Sequence, residues 1–306
     1  MRLYPRTLKD NTINNIEIGA FNGTNNLISL DLSGNRLITL GNKIFENLNQ
    51  LTELNLKHNR ISTVGDYAFK GLNSLLTLDL SQQFIKTLPY TALKPMTKLY
   101  STLLMNSNKL SSINKADFKG LPKLQILNLD FNQIVNIGEA GFNALPVLNQ
   151  LRISHNALRM IPATSFSNSP NIQLLDLSYN YFGGSLSLAL PSPNNITKLN
   201  LMNNALNAIH SNTFNGLNQL QNLKIENNPL ACVPAQAFLK LSQLSIVYTT
   251  FYQVCCQLPT TVTCDYVGAF NCSEHQLPNS CAGNNSNAIL SRCKLLSGYL
   301  YFVDKA

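Results

Sequence analysis

The sequence predicts an α/β repeat solenoid, a horseshoe of stacked turns with a parallel β-sheet on its concave side and a disulfide-rich C-terminal cap. Three observations carry that expectation. Asparagine recurs with a period of 24 residues, at Asn35, Asn59, Asn132, Asn156, Asn180, Asn204 and Asn228. Around these positions one frame repeats, L-x-x-L-x-L-x-x-N-x-L with Ile allowed, as in "LISLDLSGNRL" (27–37), "LTELNLKHNRI" (51–61), "LQILNLDFNQI" (124–134) and "LNQLRISHNAL" (148–158). No cysteine occurs before Cys232, yet 7 fall between Cys232 and Cys293.

The frame is that of the leucine-rich repeat, and the chain resembles that family over about ten repeats, residues 1–248. The L-x-L piece reads as a short strand, because side chains alternate between the two faces. Its leucines face inward, and since one strand buries nothing alone, turns stack and share a core. The asparagine closes each turn, offering two donors and an acceptor to backbone groups that leave the strand. Asn11 extends the series toward the N-terminus. Gln83 replaces it once and is expected to fit less well, with Asn108 following after 25 residues instead of 24. Ten residues beyond the asparagine stands a phenylalanine, at Phe21, Phe45, Phe69, Phe118, Phe142, Phe166, Phe214 and Phe238, with Leu93 and Leu190 in the two gaps. A second irregularity is expected in "YFGGSLSLALPSPNN" (181–195).

Residues 249–306 lose the frame and gain cysteine. They read as a cap tied by disulfides, since a short irregular segment cannot bury enough surface to fold alone. Free structural thiols or a zinc site are the alternatives, and against zinc the run Cys255, Cys256, Cys264, Cys272, Cys281 and Cys293 contains no C-x-x-C pair. Neighbouring cysteines rarely bond each other, so Cys255 and Cys256 are expected to reach different partners. The odd cysteine is assigned to Cys232, inside the last repeat.

The segment "LSIVYTTFYQVCCQLPTTVTC" (244–264) resembles the junction after the last repeat in leucine-rich-repeat G-protein-coupled receptors of the relaxin and glycoprotein-hormone types. The ending "SRCKLLSGYLYFV" (291–303) resembles their entry into the first membrane helix. The resemblance implies the ligand-binding ectodomain of such a receptor, extracellular at the plasma membrane. The alternative is a secreted or membrane-anchored adhesion or pattern-recognition protein on the same scaffold.

Composition narrows the function further. Charged residues make up 12% of the chain, and its net charge of +8 comes from scattered single Lys and Arg. No basic stripe for nucleic acid follows from that pattern. The N-terminal "MRLYPRTLKDN" has no apolar signal core, and no run of ~18 apolar residues exists, so membrane contact is expected only through segments outside this chain. The sequons at Asn22, Asn195, Asn271 and Asn284 are candidate glycosylation sites. His58, His155, His210 and His275 belong to no catalytic or metal motif, and those beside ladder asparagines read as solvated rim residues. No enzyme activity, metal or cofactor is expected.

A ligand is placed on the concave sheet. Positions six, four and two before each asparagine point outward, and most are small and polar. Leu104, Ile126 and Leu174 are not, and Asp79, Asn128, Asp130, Arg152 and Asp176 surround them. Apolar groups ringed by charge are the composition of a protein or peptide hot spot, although three aliphatics on a long sheet also fit scatter. Asp31, Asp79 and Asp176 sit in repeated "LDLS" and read equally as frame residues. Relaxin-type receptors hold a basic hormone helix on acidic and apolar concave residues, and Arg152 then implies a ligand of mixed charge.

Overall fold

The computed structural model describes residues 6–185, 194–231 and 233–266. Within them the chain winds as about ten turns, each contributing one strand to a 12-stranded parallel sheet. The strands run from Arg6–Thr7 through Ser29–Asp31, Glu53–Asn55, Thr77–Asp79 and Thr102–Leu104 to Ile126–Asn128, Gln150–Arg152 and Leu174–Asp176. Lys198–Asn200, Asn222–Lys224, Ile246–Tyr248 and Thr263–Asp265 complete it. Every central residue from Leu30 to Val247 is buried. The leucines of successive turns merge into one core cluster, from Phe21 to Val254. Behind them the phenylalanines stack turn on turn, Phe118 on Phe142 at 5.8 Å and Phe142 on Phe166 at 5.2 Å. Leu93 fills its gap fully buried, and the return segment there forms a short α-helix, Tyr90–Leu93.

The asparagine ladder ties each turn to the one before it. Asn156 Oδ1 accepts from Ile134 N–H at 2.9 Å. Its Nδ2 donates to the carbonyls of Leu129, Ile153 and Ser154. Asn59, Asn132, Asn180, Asn204 and Asn228 repeat the pattern, all buried. The residue before each rung takes a left-handed backbone, from His58 (φ 55°) to Asn227 (φ 54°). Gly34 holds that place in one turn, and side-chain-bearing residues do so in the others.

Gln83 corrects one expectation. It is buried at 4% exposure and keeps the ladder intact. Its Oε1 accepts from Ile61 N–H, and its Nε2 donates to the Leu56 and Ser81 carbonyls. The longer side chain bonds the same positions of the preceding turn as an asparagine does and forfeits only the bond to the Leu80 carbonyl of its own turn. The 25-residue spacing is absorbed further on, just before the next strand, where Tyr100 is half exposed. Thr77 then pairs with Thr102, and the sheet continues in register. In the described part of 181–195, a register shift lies between Gly184 and Ser185, with Gly184 at φ 64°.

The stretch "FYQVCCQLPTTVTC" folds as a helix, Tyr252–Gln257, and the last strand, Thr263–Asp265. That strand lies parallel to Ile246–Tyr248 with Cys264 opposite Val247. A disulfide joins Cys255 to Cys264, and Cys256 is disulfide-bonded as well. Val254 seals the end of the core. Cys232, Cys272, Cys281 and Cys293 lie outside the described residues.

Candidate functional site

The strand register orders the concave side chains into rows. One row runs Asp31, Asn55, Asp79, Leu104, Asn128, Arg152, Asp176 and Asn200. The row beside it holds Thr102, Ile126, Gln150 and Leu174. Leu104 and Ile126 thus stand on adjacent strands, and Gln150 separates Ile126 from Leu174. All three aliphatics are half-buried, where open exposure was expected, because the concave arc crowds neighbouring side chains together. Ser81, Ser154 and Ser178, also expected to face out, are buried under the turn.

The acidic residues of this row have a structural task. Asp31, Asp79 and Asp176 each accept, through Oδ1, the backbone N–H two residues on. Asn55, Asn128 and Asn200 do the same. An Asx turn of this kind steers the chain out of the strand. Arg152 has no acceptor to offer. At that turn Asp130 reaches across from the preceding repeat and accepts from Ser154 N–H at 2.6 Å. Burial raises the Asp130 carboxyl above the ordinary range, the Ser154 hydrogen bonds oppose that, and the charge of Asp176 adds to it while Arg152 subtracts.

The sign for stability follows. A carboxyl whose folded pKa exceeds its unfolded value binds protons more tightly when folded. Its contribution therefore declines as pH rises from the unfolded value, about 3.9, through the raised folded one. Asp130→Asn keeps the acceptor and removes the charge. It is expected to leave the melting temperature at pH 7 unchanged or higher and to flatten that part of the acid profile. Asp130→Ala orphans Ser154 N–H and is expected to cost about 1–3 kcal/mol. Thermal melts of both variants between pH 3 and 7 check this.

Among the described residues the ion pairs are Lys9–Asp10 and Lys70–Glu46, both away from the sheet. Asp79, Arg152 and Asp176 have no ion-pair partner there.

The sequence reading missed the rim. The left-handed position before each asparagine carries Phe131, His155 and Tyr179 in three consecutive turns. His155 is not a solvated rim residue. Its ring lies 4.0 Å from that of Phe131 and 3.9 Å from that of Tyr179, nearly parallel to both. Phe131 remains 54% and Tyr179 41% exposed. The signal was present in the sequence as aromatics at a place where other turns carry Gly34, Asn203 or Asn227.

The leucine rich repeat family profile matches residues 7–61, 49–104, 124–182 and 194–248. TLR13, in its complex with ssRNA13, superposes with a TM-score of 0.73 at 27% identity, over 80% of this chain and 36% of that one. A chain of the octameric complex of latrophilin 3, Unc5D and FLRT2 (LRR) gives 0.72 at 24%, over 85% and 82%. The Drosophila Toll–Spatzle complex gives 0.64 at 19%, over 80% and 36%. The chain spans well under half of the matched TLR13 and Toll-complex chains. No curated protein sequence matches it.

Proposed function

The chain belongs to the leucine-rich-repeat family, and from that premise we propose that it is the extracellular, non-enzymatic ligand-binding ectodomain of a receptor. Repeats fill 1–248 and a cysteine-rich cap 249–306. The concave face carries the reading. Asp79, Arg152 and Asp176 stand without ion partners among the described residues, around half-buried Leu104, Ile126 and Leu174. Such a surface suits a protein or peptide of complementary charge. TLR13 is seen with ssRNA and Toll with Spatzle. For this chain a polypeptide is favoured over RNA, because the strands from Ser29 to Asp176 carry Asp31, Glu53, Asp79 and Asp176 against Arg152, an acidic excess that would repel phosphates, with Lys198 and Lys224 on the strands beyond.

The disulfide between Cys255 and Cys264 supports an oxidising compartment. Asn22 and Asn195 are exposed, each hydrogen-bonded to a neighbouring asparagine side chain, while Asn271 and Asn284 lie outside the described residues. Material from secreting animal cells is expected to lose mass on glycosidase treatment, with Asn22→Gln and Asn195→Gln each removing one step. Unchanged mass in all three proteins would count against glycosylation at both sites.

At finer grain, the Tyr- and Phe-rich junction running into Cys255 and Cys256 supports a leucine-rich-repeat G-protein-coupled receptor. The likeness to TLR13 supports the alternative, an adhesion or pattern-recognition protein. The transcript beyond Ala306 decides. Seven apolar spans are expected on the first reading, and a stop codon, a lipid-anchor signal or one span would establish the second.

A further inference from the structure

Three rings, exposed Phe84 and Tyr181 in the turns and half-buried Tyr248 at the end of its strand, are each covered by a cation of this chain. Lys109 Nζ lies 4.8 Å from the Phe84 ring, Lys224 Nζ 4.9 Å from Tyr248, and the Arg159 guanidinium 5.9 Å from Tyr181. The Phe131–His155–Tyr179 stack stands apart from these. Among the described residues no cation and no further ring covers the outer face of Phe131 or of Tyr179. The next turns carry only Ser107 and Asn203 at that position, both too short to shield a ring.

The backbone makes this choice of residues costly. A bulky side chain at positive φ is disfavoured, and Phe131 (φ 55°) and Tyr179 (φ 53°) both adopt it where Gly or Asn would sit at ease. Strain of this kind at an exposed site points from structure toward function. Two carboxylates without an ion partner among the described residues lie close to the stack in sequence, that of Asp130 turned toward Ser154 in the following repeat. Asp130 directly precedes Phe131, and Asp176 lies three residues before Tyr179.

We propose that the Phe131–His155–Tyr179 stack is the anchoring wall of the ligand site, and that its open faces take arginine side chains of a polypeptide partner, with Asp176 as counter-charge on the Tyr179 side. Arginine suits the place better than lysine. Its planar guanidinium stacks on a ring face while its edge donates to a carboxylate. Asp176 accepts the Ser178 N–H and hydroxyl through Oδ1 alone, whereas Asp130 is engaged by the Ser154 backbone and side chain. The wall borders the floor of Leu104 and Ile126, so the proposal rests on the concave-face reading given above and adds to it the chemistry of the partner.

The test uses a phage-displayed library of random 12-residue peptides selected on the secreted protein. Arginine-bearing peptides are expected to enrich. The best synthetic peptide is expected to bind Phe131→Asn/Tyr179→Asn at least tenfold more weakly than wild type, although Asn suits the left-handed backbone and should hold or raise the melting temperature. Replacing its arginines by citrulline, a neutral isostere, should weaken binding to wild type by a similar factor and to the variant hardly at all. This second arm needs no protein variant and stands if the first fails to fold. Peptides lost on Leu104→Ser/Ile126→Ser but indifferent to the rim variant would overturn the wall and leave the concave reading intact. Peptides indifferent to both would overturn both. Enrichment without arginine, or citrulline binding as well as arginine, would overturn the cation assignment. A wild-type dimer that the rim variant dissolves would make the stack a contact between copies and overturn the proposal as well.

Discussion

Asn156→Ala is expected to destabilise the solenoid by about 1–3 kcal/mol, a loss out of proportion to one small polar side chain. The reason is topological. Asn156 joins Ile134 N–H, in the preceding repeat, to the carbonyls of Leu129, Ile153 and Ser154. Removing it strands an N–H and several carbonyls in a site at 8% exposure, where water has little access. Because each turn contacts only its neighbours, the damage spreads along the stack through those two interfaces. Gln83→Ala should cost nearly as much, since Gln83 makes three of the same bonds. Gln83→Asn should be neutral or stabilising, as it restores the reach to its own strand. Thermal melts of the three variants decide. An Asn156→Ala melt matching wild type would mean that water replaces the side chain and that the ladder is not what closes the turns.

Much of this was legible because the repeat states each rule many times over. The asparagine must pair with backbone wherever the chain leaves a strand, so its burial and partners follow from spacing alone. Gln83 was misjudged for the same reason. A frame argument treats length as misfit, whereas the amide group keeps its chemistry and the methylene only shifts which carbonyls it reaches. The half-burial of Leu104 and Ile126 depends on how tightly the arc crowds neighbouring rows, a quantity no single turn encodes. The structural role of Asp130 emerges only from the register. It accepts from Ser154 because the strand opposite carries Arg152, and 24 residues separate donor from acceptor. The rim stack was visible as residue identities but lacked meaning until the backbone showed a left-handed conformation at Phe131, His155 and Tyr179.

Cys255→Ser/Cys264→Ser is expected to remove about 2–3 kcal/mol from the cap while the central repeats stay folded. The bond closes a loop of sequence separation 9, and its removal returns that much chain entropy to the open state. What opens is set by the contacts it guards. The strand Thr263–Asp265 covers the otherwise bare edge of Ile246–Tyr248, and the helix Tyr252–Gln257 lays Val254 over the end of the core. Among the described residues the strand has no second neighbour in the sheet to hold it, unlike Gln150–Arg152, which pairs on both sides. Amide hydrogen exchange is therefore expected to quicken over 246–266 and to remain unchanged over 126–180. Cys256, disulfide-bonded in its own right, should keep the helix tethered, so the strand should exchange faster than the helix. Acceleration spread evenly along the chain would show instead that the cap sets the stability of the whole stack. Unchanged exchange at Thr263–Asp265 would show that pairing with Ile246–Tyr248 holds the strand without the bond.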